Sequence, residues 1–142
     1  MTATINLLSE TDEHFVLGEI LRPLLTNAMG SSIEVFDTTG PADAGPPPHQ
    51  HPWEEIYVVI SGELQVMVGD GSPIVIGPGS AAHVPANTVH SYRNATECHF
   101  LTIASKGRAA EFFAEAATLE MNPPNLPEVI RVANNHGIDV AL

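Results

Sequence analysis

Twelve prolines and eleven glycines interrupt this chain of 142 residues, so no regular element can run far before a turn stops it. Proline fixes φ and removes an amide donor, while glycine favours the left-handed corners of tight turns. Short segments punctuated this often point to a mainly β sandwich or barrel. Strands are expected at residues 19–25, 32–37, 55–60, 63–68, 73–76, 80–84, 89–93 and 98–104. Turn chemistry separates them at Ser61-Gly62, Gly69-Asp70-Gly71-Ser72, Gly77-Pro78-Gly79, Pro85-Ala86-Asn87 and Asn94-Ala95-Thr96-Glu97. In segment 55–60, Ile56, Val58 and Ile60 fall on one face and Tyr57 and Val59 on the other, so both faces call for cover.

Beyond residue 104 the apolar period changes from two to that of a helix. Ala109, Phe112, Phe113, Ala116, Ala117 and Leu119 predict a helix over 108–121. Asn122-Pro123-Pro124 breaks it. Asn125 with Glu128 three places on resembles a capping box for a second helix, which presents Val129, Ile130, Val132 and Ala133 and stops at Gly137. Residues 38–48 read as a loop. No internal repeat or long linker divides the chain, so a single domain over 1–142 is expected, with a barrel over about 15–104 and a helical tail over 105–142.

Charge narrows the partners. Seventeen acidic residues face five basic ones, Arg22, Arg93, Lys106, Arg108 and Arg131, for a formal charge of −12. Such a surface cannot replace the counterions of a nucleic acid or of an anionic membrane. No apolar stretch approaches a membrane span, and the opening residues lack the pattern of a secretory signal, so a cytoplasmic location is expected. Cys98 is the single cysteine and reads as a small core residue.

The chemistry concentrates in His49-Gln50-His51-Pro52-Trp53-Glu54-Glu55. On extended backbone, positions two apart point the same way, so His49 and His51 can present two imidazoles to one centre, and Glu55 keeps their parity. Two histidines and a carboxylate suit Fe, Mn, Ni, Co, Cu or Zn, whereas a Ca or Mg cage uses oxygens alone.

A second segment, Gly79 to Asn94, completes a pattern. His49-x-His51, three residues, Glu55, six residues and Gly62 are followed by Gly79, five residues, Pro85-Ala86-Asn87, two residues, His90, three residues and Asn94. The two runs resemble the paired motifs of the cupin superfamily. Asn87 stands where that family usually has glycine, and the family's opening glycine sits farther upstream than Gly45. The tail helices resemble extensions of small quercetin-dioxygenase-like members.

The resemblance implies a double-stranded β-helix, the cupin jelly-roll barrel, with a short C-terminal helical extension. It implies one divalent transition metal held by His49, His51, Glu55 and His90. It further implies a metal-dependent oxygenase acting on a small neutral, phenolic or enolisable molecule, with Glu55 doubling as the base. The alternatives are a non-oxidative cyclase, isomerase or lyase, such as an aromatic polyketide cyclase, or a small-molecule sensor module.

By strand parity Tyr57 and Tyr92 are expected to line the cavity, with Phe36 and Phe100, and further Val59 and Val66, as walls. Trp53 is expected at the mouth or at an interface. His83 reads as a half-exposed strand residue or a proton-transfer group, and His99 as core packing or a partner of a ligand imidazole. His14 and His136 read as structural. The doubly apolar strand 55–60 leads to the expectation of a homodimer.

Overall fold

A computed structural model describes residues 2–141. After a 3-10 turn at Leu8–Glu10, strands β1 (His14–Val16) and β2 (Glu19–Leu25) form a hairpin. A second turn, Asn27–Met29, leads to β3 (Glu34–Gly40). Then follow β4 (His49–Gln50), β5 (Glu55–Ser61), β6 (Leu64–Val68), β7 (Ile74–Ile76), β8 (Ala81–Val84), β9 (His90–Asn94) and β10 (Cys98–Ala104). The tail holds α1 (Ala109–Ala116), α2 (Leu126–Asn135) and β11 (Asp139–Val140).

The strands pair antiparallel into two sheets, ordered β1-β2-β3-β10-β5-β8 and β11-β4-β9-β6-β7. This is the expected mainly β jelly roll. Period-two burial drives it: in β10, Cys98, Phe100, Thr102 and Ala104 are buried while His99, Leu101 and Ile103 are only half so. The inward residues of the two sheets, Tyr57, Val59, Leu64, Val66, Val84, Cys98 and Phe100, form one apolar cluster.

A second cluster joins the barrel to its tail. Val16, Leu21, Phe36, Trp53 and Ala104 from the barrel pack with Ala109, Phe112, Ala116, Met121, Val129, Val132, Ala133 and Ile138. Phe36 meets Phe113 edge to face at 5.0 Å. Helix α2 starts as its capping signal implies, with the Asn125 side chain accepting from the Glu128 amide, and it is followed by Gly137 at φ 81°. Helix α1 has no side-chain cap of its own at Arg108. Buried Glu34 of β3 supplies the missing acceptor, taking the Ala110 amide at 3.1 Å and the Asn27 amide at 2.9 Å.

Several boundaries differ from the sequence reading. Strand β3 runs to Gly40, because Thr39 and Gly40 pair with His99 and Cys98, so the loop begins at Pro41 rather than Thr38. Helix α1 ends at Ala116, well short of 121, and Met121 reaches the core from a bridge to Pro124 without helical backbone. Strands β1, β4 and β11 are too short to show periodicity and were not expected as strands. The outer face of β5 stays open: Ile56 and Val58 are half-buried, Ile60 is exposed, and the tail helices pack elsewhere. Among the described residues no helix is long and apolar enough to cross a membrane.

Replacing Glu34 by alanine strands two amides, at a cost of about 1–3 kcal/mol. Trp53, the single tryptophan, sits at the joint between barrel and tail. Its fluorescence should therefore report tail release at lower urea in Glu34→Ala than in the unsubstituted protein.

Candidate metal centre

The four residues of the paired motifs converge. Register sets His49 of β4 directly opposite His90 of β9, His51 follows β4, and Glu55 opens β5 across the barrel. One donor atom from each lies within 4.8 Å of all the others. His51, Glu55 and His90 are buried and His49 nearly so.

The tautomers follow from the hydrogen bonds. Nδ1 of His49 lies 2.9 Å from the Pro47 carbonyl, Nδ1 of His51 2.9 Å from the Trp53 carbonyl, and Nδ1 of His90 2.8 Å from the Thr88 carbonyl. A carbonyl only accepts, so each Nδ1 carries a hydrogen and each Nε2 points inward, where it donates to a carboxylate when it holds a proton and offers a lone pair to a cation when it does not. Glu55 Oε2 lies 3.2 Å from Nε2 of His51 and 3.1 Å from Nε2 of His90. Three inward Nε2 atoms and a carboxylate are a donor set without a cation of its own, which is what a divalent transition metal requires.

Electrostatics agrees. Burial lowers His49 to about 4, helped by neighbouring His90, so its imidazole stays neutral. Burial opposes ionisation of Glu55, but the hydrogen bonds and charges of His51 and His90 outweigh it and hold the carboxyl below the usual range. Tyr57 donates to Glu55 Oε2 at 3.0 Å, and burial together with that carboxylate raises its phenol well above the ordinary value.

His49, His51 and Glu55 line a partly open, mostly apolar cavity of about 90 Å³, and His90 is buried beside them. Tyr57 and Tyr92 line it as expected, their rings 5.1 Å apart. Phe36 and Phe100 do not. Both are fully buried away from the lining, Phe36 against Phe113 and Phe100 against Tyr57 and Tyr92; Phe100 keeps the inward parity of Thr102, which does line the cavity, but packs in the inter-sheet core. Val59 and Val66 likewise sit in the inter-sheet core.

Trp53 is not a mouth residue. It is 3% exposed and stacks on His51 at 4.3 Å with the rings 8° from parallel. His83 lies on the surface beside Glu54, and His99 pairs with Asp37 at 2.6 Å, away from the cluster. His136 bridges to Glu115 and Arg108 within the tail.

The sequence reading missed two features of the cavity. Ala109, Phe112, Phe113, Val129 and Ala133 of the tail helices form part of its wall. Glu19 of β2 also lines it, 2% exposed, bonded to the Tyr92 hydroxyl and 3.2 Å from Asn94 Nδ2. Burial raises Glu19 to about 7 against the lesser pull of Tyr92 and Asn94. A lone glutamate at the start of a strand carries no motif, and only its burial marks it.

Glu19 and His49 bias metal-free stability in opposite directions. The unfolded chain protonates His49 near 6.5 and the folded one only near 4, so folding loses up to about 3 kcal/mol as pH falls through that window. Folded Glu19 keeps its proton to about 7 against 4.5, so its contribution is present below 4.5 and is lost as pH rises through 7. Urea midpoints of metal-free Glu19→Gln should therefore climb between pH 4.5 and 6.5, while those of the unsubstituted protein stay flatter.

Comparison with known proteins agrees with the motifs. The family described as Cupin domain matches residues 36–104. Quercetin 2,3-dioxygenase of Bacillus subtilis strain 168 is 40% identical over 60 residues, 42% of this chain and 18% of that protein. H2HPP isomerase of Bacillus subtilis is 36% identical over 80 residues, 56% of this chain and 34% of that protein. The chain thus spans well under half the length of either. An RmlC-like cupin from Shewanella frigidimarina NCIMB 400 superposes with a TM-score of 0.68 at 20% identity, over 78% of this chain and 96% of that one. Residues 36–104, the segment that carries both motifs, match the cupin domain family.

Proposed function

We propose that this cupin is a metal-dependent enzyme, an oxygenase acting on a small neutral molecule with an enolisable or phenolic oxygen. The observation that carries the reading is the convergence of His49, His51, Glu55 and His90, of which His49, His51 and Glu55 line an apolar cavity. A cavity of about 90 Å³ with a mostly apolar lining favours a small, mostly apolar substrate.

His49, His51 and His90 would hold the metal through Nε2, each steered by the carbonyl on its Nδ1. Such a metal supplies Lewis-acid polarisation of chelating oxygens and, if redox-active, electron exchange with dioxygen. Glu55 is ionised and offers a carboxylate oxygen as the base that takes the substrate proton. Tyr57 stays neutral and, by donating to Oε2, keeps that carboxylate aimed into the cavity.

The runner-up is a non-oxidative isomerase, cyclase or lyase using the same proton abstraction. The longer match to H2HPP isomerase than to the dioxygenase favours keeping it. Homodimerisation is also proposed, since the open outer face of β5, with Ile60 46% exposed, is apolar.

The protein should carry about one transition-metal ion per chain by elemental analysis, and His90→Ala should lose most of it. Glu55→Gln should retain much of the metal, since the amide oxygen still coordinates, yet lose roughly 100-fold or more in turnover. Turnover of a catecholic or enolisable substrate should consume dioxygen; anaerobic turnover at the aerobic rate would give the place to the isomerase reading. Sedimentation at micromolar concentration should show a dimer, and a monomer would remove that proposal.

A further inference from the structure

Four carboxyls are buried among the described residues: Glu19, Glu34, Asp37 and Glu55. Three have evident partners for their charge. Glu34 accepts two backbone amides, Asp37 faces Arg22 and His99, and Glu55 faces two imidazoles. Glu19 has neither a cation nor a backbone amide. Its partners are the neutral Tyr92 hydroxyl and the Asn94 side-chain amide. The groups that face it are Tyr92 and Asn94 from β9, Tyr57 from β5 and Cys98 from β10, none of them cationic.

Its place is specific. Glu19 lines the same cavity as the metal cluster, separated from Glu55 by the Tyr92 and Tyr57 rings. Room for it is made by Gly40, where a Cβ would come within 3.0 Å of Glu19 Cγ and 2.8 Å of Asn94 Nδ2. Tyr92, Leu17, Pro46 and Pro47 also line an open groove outside the cavity, so Glu19 lies one side chain from solvent.

We propose that Glu19 is a second acid–base group of the cavity, a neutral carboxylic acid that protonates the carbon of a bound enolate after Glu55 has taken a proton from the substrate. The inference rests on the metal-dependent reading above and develops its isomerase or lyase form. In the step, the Glu19 O–H bond breaks, a C–H bond forms at the enolate carbon, and the resulting carboxylate regains a proton from water at the groove. Burial, which holds Glu19 protonated up to about pH 7, leaves the proton available at neutral pH. An acid and a base held apart in one cavity are what an isomerase or lyase needs to move a proton between two atoms.

Glu19→Gln keeps the size and hydrogen-bonding capacity of the side chain and removes its exchangeable acid. Infrared difference spectra of the metal-free protein between about pH 5 and about pH 9 should show a carboxylic-acid C=O band that vanishes with a midpoint near 7 and is missing in Glu19→Gln. With Mn(II)-loaded protein and acetylacetone in D₂O, NMR should show accelerated exchange of the central methylene protons over Mn(II) alone. Glu19→Gln should reduce that acceleration roughly 100-fold and abolish its pH dependence near 7, at equal Mn(II) content. Absence of the band, absence of acceleration, or equal exchange in both proteins at equal Mn(II) content overturns the role of Glu19. If the unsubstituted protein retains no Mn(II), the metal reading itself falls and this inference with it.

Discussion

Three backbone carbonyls govern the interior of this barrel. By accepting the Nδ1 hydrogens of His49, His51 and His90, the oxygens of Pro47, Trp53 and Thr88 turn three Nε2 atoms toward one centre with Glu55. Those carbonyls lie two residues from the histidines they hold, so each ring is fixed by its own stretch of chain. Sheet register then does the long-range work, setting His49 opposite His90 and Glu55 at the head of the neighbouring sheet. The result is a buried cluster of nitrogen and oxygen donors that can converge on one cation.

The helical tail is part of that pocket rather than an ornament on the barrel. Phe112, Phe113, Val129 and Ala133 complete the cavity wall, and the stacked Trp53–His51 pair links the tail's core to the donor set. Glycine at 107 is required for this docking, because a Cβ there would fall 2.5 Å from the Trp53 ring. Glu34 ties the start of α1 to β3 through a backbone amide. Loosening the tail would admit water to the site and weaken the electrostatics that low polarity sustains.

Two glutamates in one cavity meet opposite fates. Glu55 is ionised despite its burial, because imidazoles flank it; Glu19 is kept neutral by its burial, because only a phenol and an amide do. Chemical identity is the same and the neighbours decide the charge. The tyrosine pair lies between them and is itself kept protonated chiefly by burial.

Much of this was legible in the sequence, and the reason is local. Period-two burial is written into Cys98, Phe100, Thr102 and Ala104, and the capping of α2 into Asn125 and Glu128. Asn87, which replaces a glycine of the pattern, adopts φ 58° as its side chain allows. The spacing of His49, His51 and Glu55 marks three donors in the sequence, although the fold carries them on β4, the segment after it and β5 of the other sheet rather than on one strand. The sequence could not place Phe36 and Phe100 behind the cavity rather than in its wall, bury Trp53 under His51, bring α1 and α2 over the donors, or raise Glu19 above the other carboxyls. Each of those depends on which residues far apart in the chain share a volume after the barrel has twisted and closed, and that is decided by packing, not by spacing.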